Sequence, residues 1–135
     1  IEHVPNPNIH VKEIGRMLKP GGIFYLATPN RFWYMDPHYK LPFITWLPRF
    51  VNNFIFKIFK KKEWDIYSMS FFKLKKLVRK QFKIDNISLK MIRNPKKYNL
   101  DVYKKFHPFL KYIPTSFLSI LNYFLPTYVL VLRKK

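Results

Sequence analysis

The histidines at positions 3 and 38 have the side chains best suited to moving a proton in this sequence. His3 stands directly after Glu2, and His38 follows an Asp36-Pro37 pair. Imidazole exchanges a proton near neutral pH, so either ring could act as a general base or orient a substrate. Glu2 and His3 could equally hydrogen-bond loop backbone, and Asp36-Pro37 is also ordinary turn chemistry. Both histidines are therefore candidate catalytic residues whose structural alternatives stay open.

Polar residues near these histidines are candidates for binding a substrate. Arg31 could pair with an anionic substrate group through its guanidinium. Glu2, Asn30 and Tyr39 complete the predicted substrate-binding set. For the residues after position 29 taken singly, an ordinary loop without a ligand is the slightly favoured alternative.

The residue types that are missing exclude several kinds of site. The sequence has no cysteine, which rules out a disulfide scaffold, a thiol nucleophile and a cysteine-ligated zinc site. Its three glycines form neither a GxGxxG nor a Walker loop. Hard cations usually need more oxygen ligands than Glu2 beside His3 can offer, so no metal site is predicted.

The charge is strongly unbalanced. The 135 residues include 26 Lys+Arg and 7 Asp+Glu, for a formal net charge of +19. Such a charge attracts polyanions or anionic lipid surfaces. Lysines interleaved with aromatic residues would suit RNA, but the aromatics fall at core spacings and no RNP run appears. A nucleic-acid partner is therefore disfavoured, and an anionic membrane surface is the partner kept open.

The first thirty residues predict a helix, a turn and a strand. Residues 6–18 form the helix, which Asn6 caps. Its apolar face is expected to consist of Val11, Ile14, Met17 and Leu18. Residues 19–22, Lys-Pro-Gly-Gly, stop the helix, and residues 23–28 form a short apolar run typical of a buried parallel strand. The order indicates an α/β fold.

The rest of the chain is expected to supply further helices and strands. They are a helix over about 47–61, a helix over 70–82, a strand over 84–92, a helix from about 115 to 125 and a strand over 128–132. In the 47–61 helix the predicted buried face comprises Val51, Phe54, Ile55 and Ile58, and the predicted solvent face comprises Arg49, Asn52, Asn53, Lys57 and Lys60.

Residues 112–132 contain no charged side chain and are long enough to span a bilayer. Pro114 and Pro126 interrupt this stretch, and its β-branched end favours a strand. A transmembrane helix is therefore the less favoured interpretation.

Three short motifs in residues 1–30 decide the class. They are Ile-Glu-His-Val-Pro-Asn-Pro over 1–7, Arg-Met-Leu-Lys-Pro-Gly-Gly over 16–22 and Thr-Pro-Asn over 28–30. In this order and spacing they resemble class I S-adenosylmethionine-dependent methyltransferases of the ubiquinone-type group. The resemblance implies a Rossmann-like fold, truncated to the end of strand four through strand seven, with helical insertions. The 135 residues would then be the C-terminal part of one domain.

The resemblance also implies an activity and a cofactor. S-adenosylmethionine would be the cofactor, with its glycine-rich loop upstream of residue 1, so the fragment alone should be inactive. The enzyme would methylate an O, N or C atom of a small-molecule or lipid-linked substrate. Some relatives bind a divalent ion through an E-x-x-E-H pattern, whose last two positions Glu2 and His3 match. Residues 31–66 and 94–126 would be insertions on the substrate or membrane side.

The insertion over residues 46–62 has three interpretations. It could be an ordinary surface helix, a lid over an apolar substrate, or a segment lying on an anionic membrane. The expected protein is cytoplasmic, with peripheral attachment to the membrane as an option. The alternative function is a basic membrane-peripheral or RNA-binding module without catalysis of its own.

Overall fold

The computed structural model describes residues 1–100, 112–114, 117, 120 and 122–135. These residues contain four α-helices and three β-strands, a mixed α/β arrangement. In chain order the elements are α1 (Pro7–Met17), β1 (Ile23–Pro29), α2 (Arg49–Lys60), α3 (Phe71–Val78), β2 (Phe82–Asn86), α4 (Ser88–Arg93) and β3 (Thr127–Lys134). Short 3₁₀ turns occur at Ile44–Trp46 and Asn122–Phe124. The predicted helix over 115–125 falls mostly outside the described residues.

The three strands form one sheet in the order β1–β3–β2. β3 pairs antiparallel with both neighbours, with Ile23 opposite Arg133 on one side and Phe82 opposite Lys134 on the other. β1 and β2 therefore run in the same direction, and their carboxyl ends lie at the same edge. The expectation of a buried parallel strand at residues 23–28 was wrong in the described part of the chain, because β1 pairs antiparallel there. Tyr25 is also exposed.

The first helix follows the sequence pattern closely. The Asn6 side chain caps α1 by accepting from the Ile9 backbone N–H at 3.3 Å. Gly21 then takes a positive φ of 75°, which suits glycine at a helix exit. Val11 is buried as expected, but Met17 is largely exposed, so its assignment to the buried face was wrong. Ile14 and Leu18 do pack against the main core.

The segment after α3 corrects a second expectation. Ser70 caps α3 by accepting from the Lys73 backbone N–H, as the helix pattern indicated. The predicted strand over 84–92 instead becomes β2 followed by α4. The Ser88 hydroxyl accepts from the Val129 backbone N–H at 2.8 Å and donates to the Val129 carbonyl at 3.3 Å. A side chain thus takes over the hydrogen bonds that a longer strand would have made, which lets the chain turn into a helix.

β3 supplies the centre of the main core. Tyr128, Leu130 and Leu132 are fully buried there. Leu74 and Val78 from α3 join the same cluster, as do Val11, Leu26, Met69 and Phe82. Apolar side chains from both ends of the chain therefore pack together on one face of the sheet.

α2 is rotated relative to the sequence expectation. Asn52 and Phe56 are buried, whereas Phe54 and Ile58 are exposed, so these parts of the predicted faces were wrong. Phe56 packs in a second core cluster with Ile44, Trp64 and Ile66. The Trp64 backbone N–H donates to Asn53 Oδ1 at 3.1 Å. The Trp64 backbone N–H needs a hydrogen-bond acceptor, and Asn53 supplies it. The polar side of α2 that carries Asn53 therefore faces the protein.

No helix among the described residues is long and apolar enough to cross a bilayer. The end of the uncharged 112–132 stretch lies in β3, as its β-branched composition indicated.

Replacing the fully buried Leu130 by alanine should lower the free energy of unfolding by about 2–5 kcal/mol, because the cavity forms between β3 and α3. Urea unfolding followed by circular dichroism measures the change. Ile23→Ala is the matched control, since Ile23 lies on β1 with more than half of its surface exposed. Equal losses in the two variants would contradict the assignment of β3 to the core.

Candidate functional site

Glu2, His3 and His38 meet in one cluster although His38 is distant in the sequence. The two imidazole rings have centroids 4.9 Å apart and stand edge to face at 84°. Nε2 of His38 lies 4.0 Å from Glu2 Oε1. The fold therefore brings together both predicted catalytic residues and one predicted substrate-binding residue.

The end of β1 holds Glu2 in place. The hydroxyl of buried Thr28 donates to Glu2 Oε2 at 3.2 Å, and the Tyr67 backbone N–H donates to the Glu2 carbonyl at 2.6 Å. Burial by itself raises the pKa of Glu2. Hydrogen bonds from its own backbone N–H and from the Thr28 hydroxyl lower that pKa. These two contacts favour the ionised carboxylate beside the histidines.

A tight loop places His38 opposite Glu2. Oδ2 of Asp36 accepts from the backbone N–H groups of His38 at 3.0 Å and Tyr39 at 2.6 Å. The Asp36 backbone also bonds to Lys40 and Leu41, which closes the loop. Asp36 is buried and performs the turn chemistry that was the alternative to a binding role. Its effect on the site is to position the neighbouring imidazole.

Asp65 completes the cluster, and the sequence pattern gave no signal for it. The Tyr39 hydroxyl donates to Asp65 Oδ1 at 3.0 Å, and His3 Nδ1 lies 3.6 Å from Asp65 Oδ2. Burial by itself raises the pKa of Asp65, but the Tyr39 hydrogen bond, its own backbone N–H and the charges of His3 and Lys62 lower it overall. Tyr39 therefore reaches the site through a carboxylate while its ring packs against Phe56.

Asn30 and Arg31 lie outside this cluster. The buried Asn30 amide donates to the carbonyls of Tyr123 at 2.7 Å and Leu125 at 2.8 Å, so its side chain holds the approach to β3. Arg31 faces a separate cleft. Their substrate-binding roles stay predictions. A substrate bound by either residue would be held outside the histidine cluster.

The cluster has the chemistry of proton transfer and the residue types of a metal site. An imidazole beside a carboxylate can accept a proton and share the resulting charge. Glu2, His3 and His38 each offer one ligand atom, and these atoms lie within 4.8 Å of one another. They could hold a divalent transition metal, although a tetrahedral site would require them to move closer together. The expectation that no metal is used is untested by this geometry.

The glycines do not form a cofactor cradle near this cluster. Gly21 and Gly22 lie between α1 and β1, at the opposite end of β1 from Thr28. Gly15 lies within α1 and faces Gln81. Among the described residues, the glycines therefore form no loop that would fit the methionine part of S-adenosylmethionine.

Comparison with protein-family models finds no match, and comparisons with curated proteins and with solved structures find no similar protein. The family resemblance of residues 1–30 is thus neither supported nor contradicted by these comparisons.

Replacing Tyr39 by phenylalanine should raise the pKa of Asp65 toward its ordinary value, because the hydrogen bond to the ionised carboxylate is lost. Carboxyl-detected NMR titration measures this change. Since the folded pKa of Asp65 is lowered, its stabilising contribution is present above the unfolded pKa and disappears as the pH falls through the folded pKa. The difference in stability between wild type and variant should therefore vanish in acid.

Tyr34→Phe is the control for this titration, because the Tyr34 ring is near Trp33 and its hydroxyl makes no described contact with Asp65. An unchanged Asp65 pKa in Tyr39→Phe would show that the hydrogen bond has no electrostatic role.

Proposed function

We propose that this chain is the C-terminal part of an S-adenosylmethionine-dependent methyltransferase acting on a small-molecule or lipid-linked acceptor. The sheet is the observation that carries the proposal. Two strands with the same direction are joined through α3, and the last strand returns antiparallel between them. The resemblance implies a helix, a sixth strand and a final antiparallel strand in this part of the chain. The described elements α3, β2 and β3 follow that succession, with α4 added between the two strands.

The position of the histidine cluster also supports the proposal. Ligands of α/β sheets bind beyond the carboxyl ends of strands that run in one direction. Glu2 is hydrogen-bonded to Thr28 at that end of β1, and His3 and His38 adjoin it. An acceptor hydroxyl, amine or carbon acid placed there would have a base within reach.

The cofactor supplies an activated methyl group when it is bound. Because the described residues contain no glycine-rich loop, the proposal assigns cofactor binding to residues before position 1, as the resemblance implies. The residues of the chain would orient the acceptor and remove its proton. In that role His38 holds the proton that the acceptor gives up, and Glu2 stabilises the resulting imidazolium at 4.0 Å.

Replacing His38 by glutamine should slow methyl transfer by about 10²–10⁴-fold, the usual contribution of a general base. The assay uses protein from the complete reading frame, a tritiated methyl donor, and lipid and small-molecule extracts as acceptors. His10→Gln is the matched control, because His10 is exposed on α1 away from the cluster. Equal rates in the two variants would remove His38 from catalysis. No labelled product with wild-type protein and no binding of S-adenosylmethionine would refute the function itself.

Membrane attachment without catalysis by this chain is the second candidate, and the surface of α2 favours it. Phe50 is 75% exposed and Phe54 is 67% exposed, on the side of the helix opposite the buried Phe56. Ile58 continues this exposed row, and Lys57 and Lys60 flank it. Aromatic side chains flanked by lysines can enter the interface of an anionic bilayer while the ammonium groups stay at the headgroups.

Replacing Phe54 by serine should reduce flotation with anionic liposomes, because the inserted apolar area is lost. Phe72→Ser is the matched control, since Phe72 is 73% exposed but lies on α3. Liposomes with and without phosphatidylserine measure the lipid dependence. Equal flotation of the two variants, or a shift by RNA with no flotation, would overturn the assignment of α2 to the membrane.

A further inference from the structure

A cleft of about 150 Å³ lies beside the N-terminus of α2, apart from the histidine cluster. Its lining includes three cationic residues from three different parts of the fold. Arg31 follows β1, Arg49 begins α2, and Lys73 belongs to the first turn of α3. No carboxylate lines the cleft in the described part of the chain. Positive charges thus converge there without a fixed counter-charge.

The acidic residues close to these cations in the sequence do not line the cleft. Asp36 accepts from the backbone N–H groups of His38 and Tyr39 through Oδ2. Glu63 pairs with Lys57 at 3.4 Å, and Asp65 faces His3 and Tyr39. Within the described residues, Arg31 and Lys73 have no side-chain hydrogen bond or ion pair. Arg49 donates to the Trp64 carbonyl at 3.2 Å and its guanidinium carbon lies 3.8 Å from the Tyr67 ring centroid. These contacts orient the guanidinium but leave its charge unneutralised.

Asn52 gives an independent indication of a ligand. It lines the same cleft, is only 2% exposed, and its Oδ1 has no hydrogen-bond partner among the described residues. A buried amide oxygen that has no partner within the protein is rare and calls for a donor from outside. The partner would have to satisfy an amide and also neutralise the three cations.

A phosphate group meets both requirements. Its oxygens can accept from two guanidinium groups and an ammonium at once, and a protonated oxygen can donate to an amide carbonyl. The positive end of the α2 dipole, whose first residue Arg49 lines the cleft, adds to the attraction. A cavity of this volume holds a molecule about the size of benzene, so a phosphate group fits.

We propose that the cleft formed by Arg31, Arg49, Asn52 and Lys73 binds a phosphate group, either as free phosphate or as the headgroup of a phosphomonoester lipid. The proposal does not rest on methyl transfer. It gives Arg31 a binding role at a place separate from the histidines. It also places an anion site on the inner face of the helix whose outer face exposes Phe50 and Phe54.

Isothermal titration of the chain with inorganic phosphate, at constant ionic strength, tests the site. Arg31→Gln and Lys73→Gln should each weaken the affinity by roughly 10- to 100-fold, as expected for the loss of a charged hydrogen-bond partner. Arg79→Gln and Lys76→Gln are matched controls, because they remove the same charge from exposed positions outside the cleft. Both controls should bind phosphate as the wild type does.

Asn52→Asp is a second test that preserves side-chain size. The new carboxylate would supply the counter-charge, so this variant should unfold at a higher temperature than wild type without phosphate and should lose phosphate binding. Equal phosphate affinity in wild type, cleft variants and controls would show a diffuse effect of the net charge and overturn the proposal. No binding by the wild type would do the same.

Vesicles distinguish the two sources of the phosphate group. If vesicles with phosphatidic acid bind the wild type and Lys76→Gln but not Lys73→Gln, the ligand is a lipid headgroup. If inorganic phosphate binds in the cleft while vesicle binding is the same in both lysine variants, the ligand is a soluble phosphate. Either result supports the site. If neither the binding of inorganic phosphate nor the binding of vesicles depends on Lys73, the proposal is refuted.

Discussion

The pairing of β3 with both other strands is the constraint on which the described structure depends. Each of β1 and β2 has β3 as its partner in the sheet, so two sets of backbone groups rely on one strand. β3 is also the strand whose Tyr128, Leu130 and Leu132 are fully buried. Hydrogen bonding and apolar burial therefore act on the same eight residues. Because these partners are distant in sequence, the sheet forms only when the chain closes over its whole length.

The pairing of β1 with β3 decides where the polar residues at the end of β1 can lie. Pro29 is opposite Thr127, and the Asn30 backbone N–H donates to the Pro126 carbonyl at 2.9 Å. Thr28 is held one residue earlier, where its hydroxyl reaches Glu2. The same segment thus anchors the carboxylate of the histidine cluster and directs Arg31 toward the cleft at α2. Two candidate sites share one structural support but differ in charge, since one has acidic residues beside histidines and the other has cations alone.

The excess of positive charge is distributed unevenly, and the surroundings of the cationic side chains differ from one helix to the next. The lysines of α3 mostly face solvent, where their mutual repulsion is screened. Lys73 is exposed as well, but it also lines the cleft shared by Arg31, Arg49 and the buried Asn52. On α2 the lysines flank exposed aromatic side chains instead. The net charge alone therefore says little about the partner. The residues beside each group of lysines distinguish a phosphate-sized cleft from a surface suited to lipid.

The sequence by itself determined the elements whose signals are local. Asn6 and Ser70 cap their helices through bonds to residues three positions on, Gly21 permits the turn, and the apolar run at 128–132 forms a strand. It also singled out Glu2, His3 and His38 by residue type. Only the tertiary structure decided that these three meet and that Asp65 joins them, because a loop held by buried Asp36 fixes that geometry. The orientation of α2 was likewise decided by the tertiary structure. Both of its sides carry apolar residues, so the buried side depends on contacts with Trp64 and its backbone N–H, which no periodicity within the helix encodes.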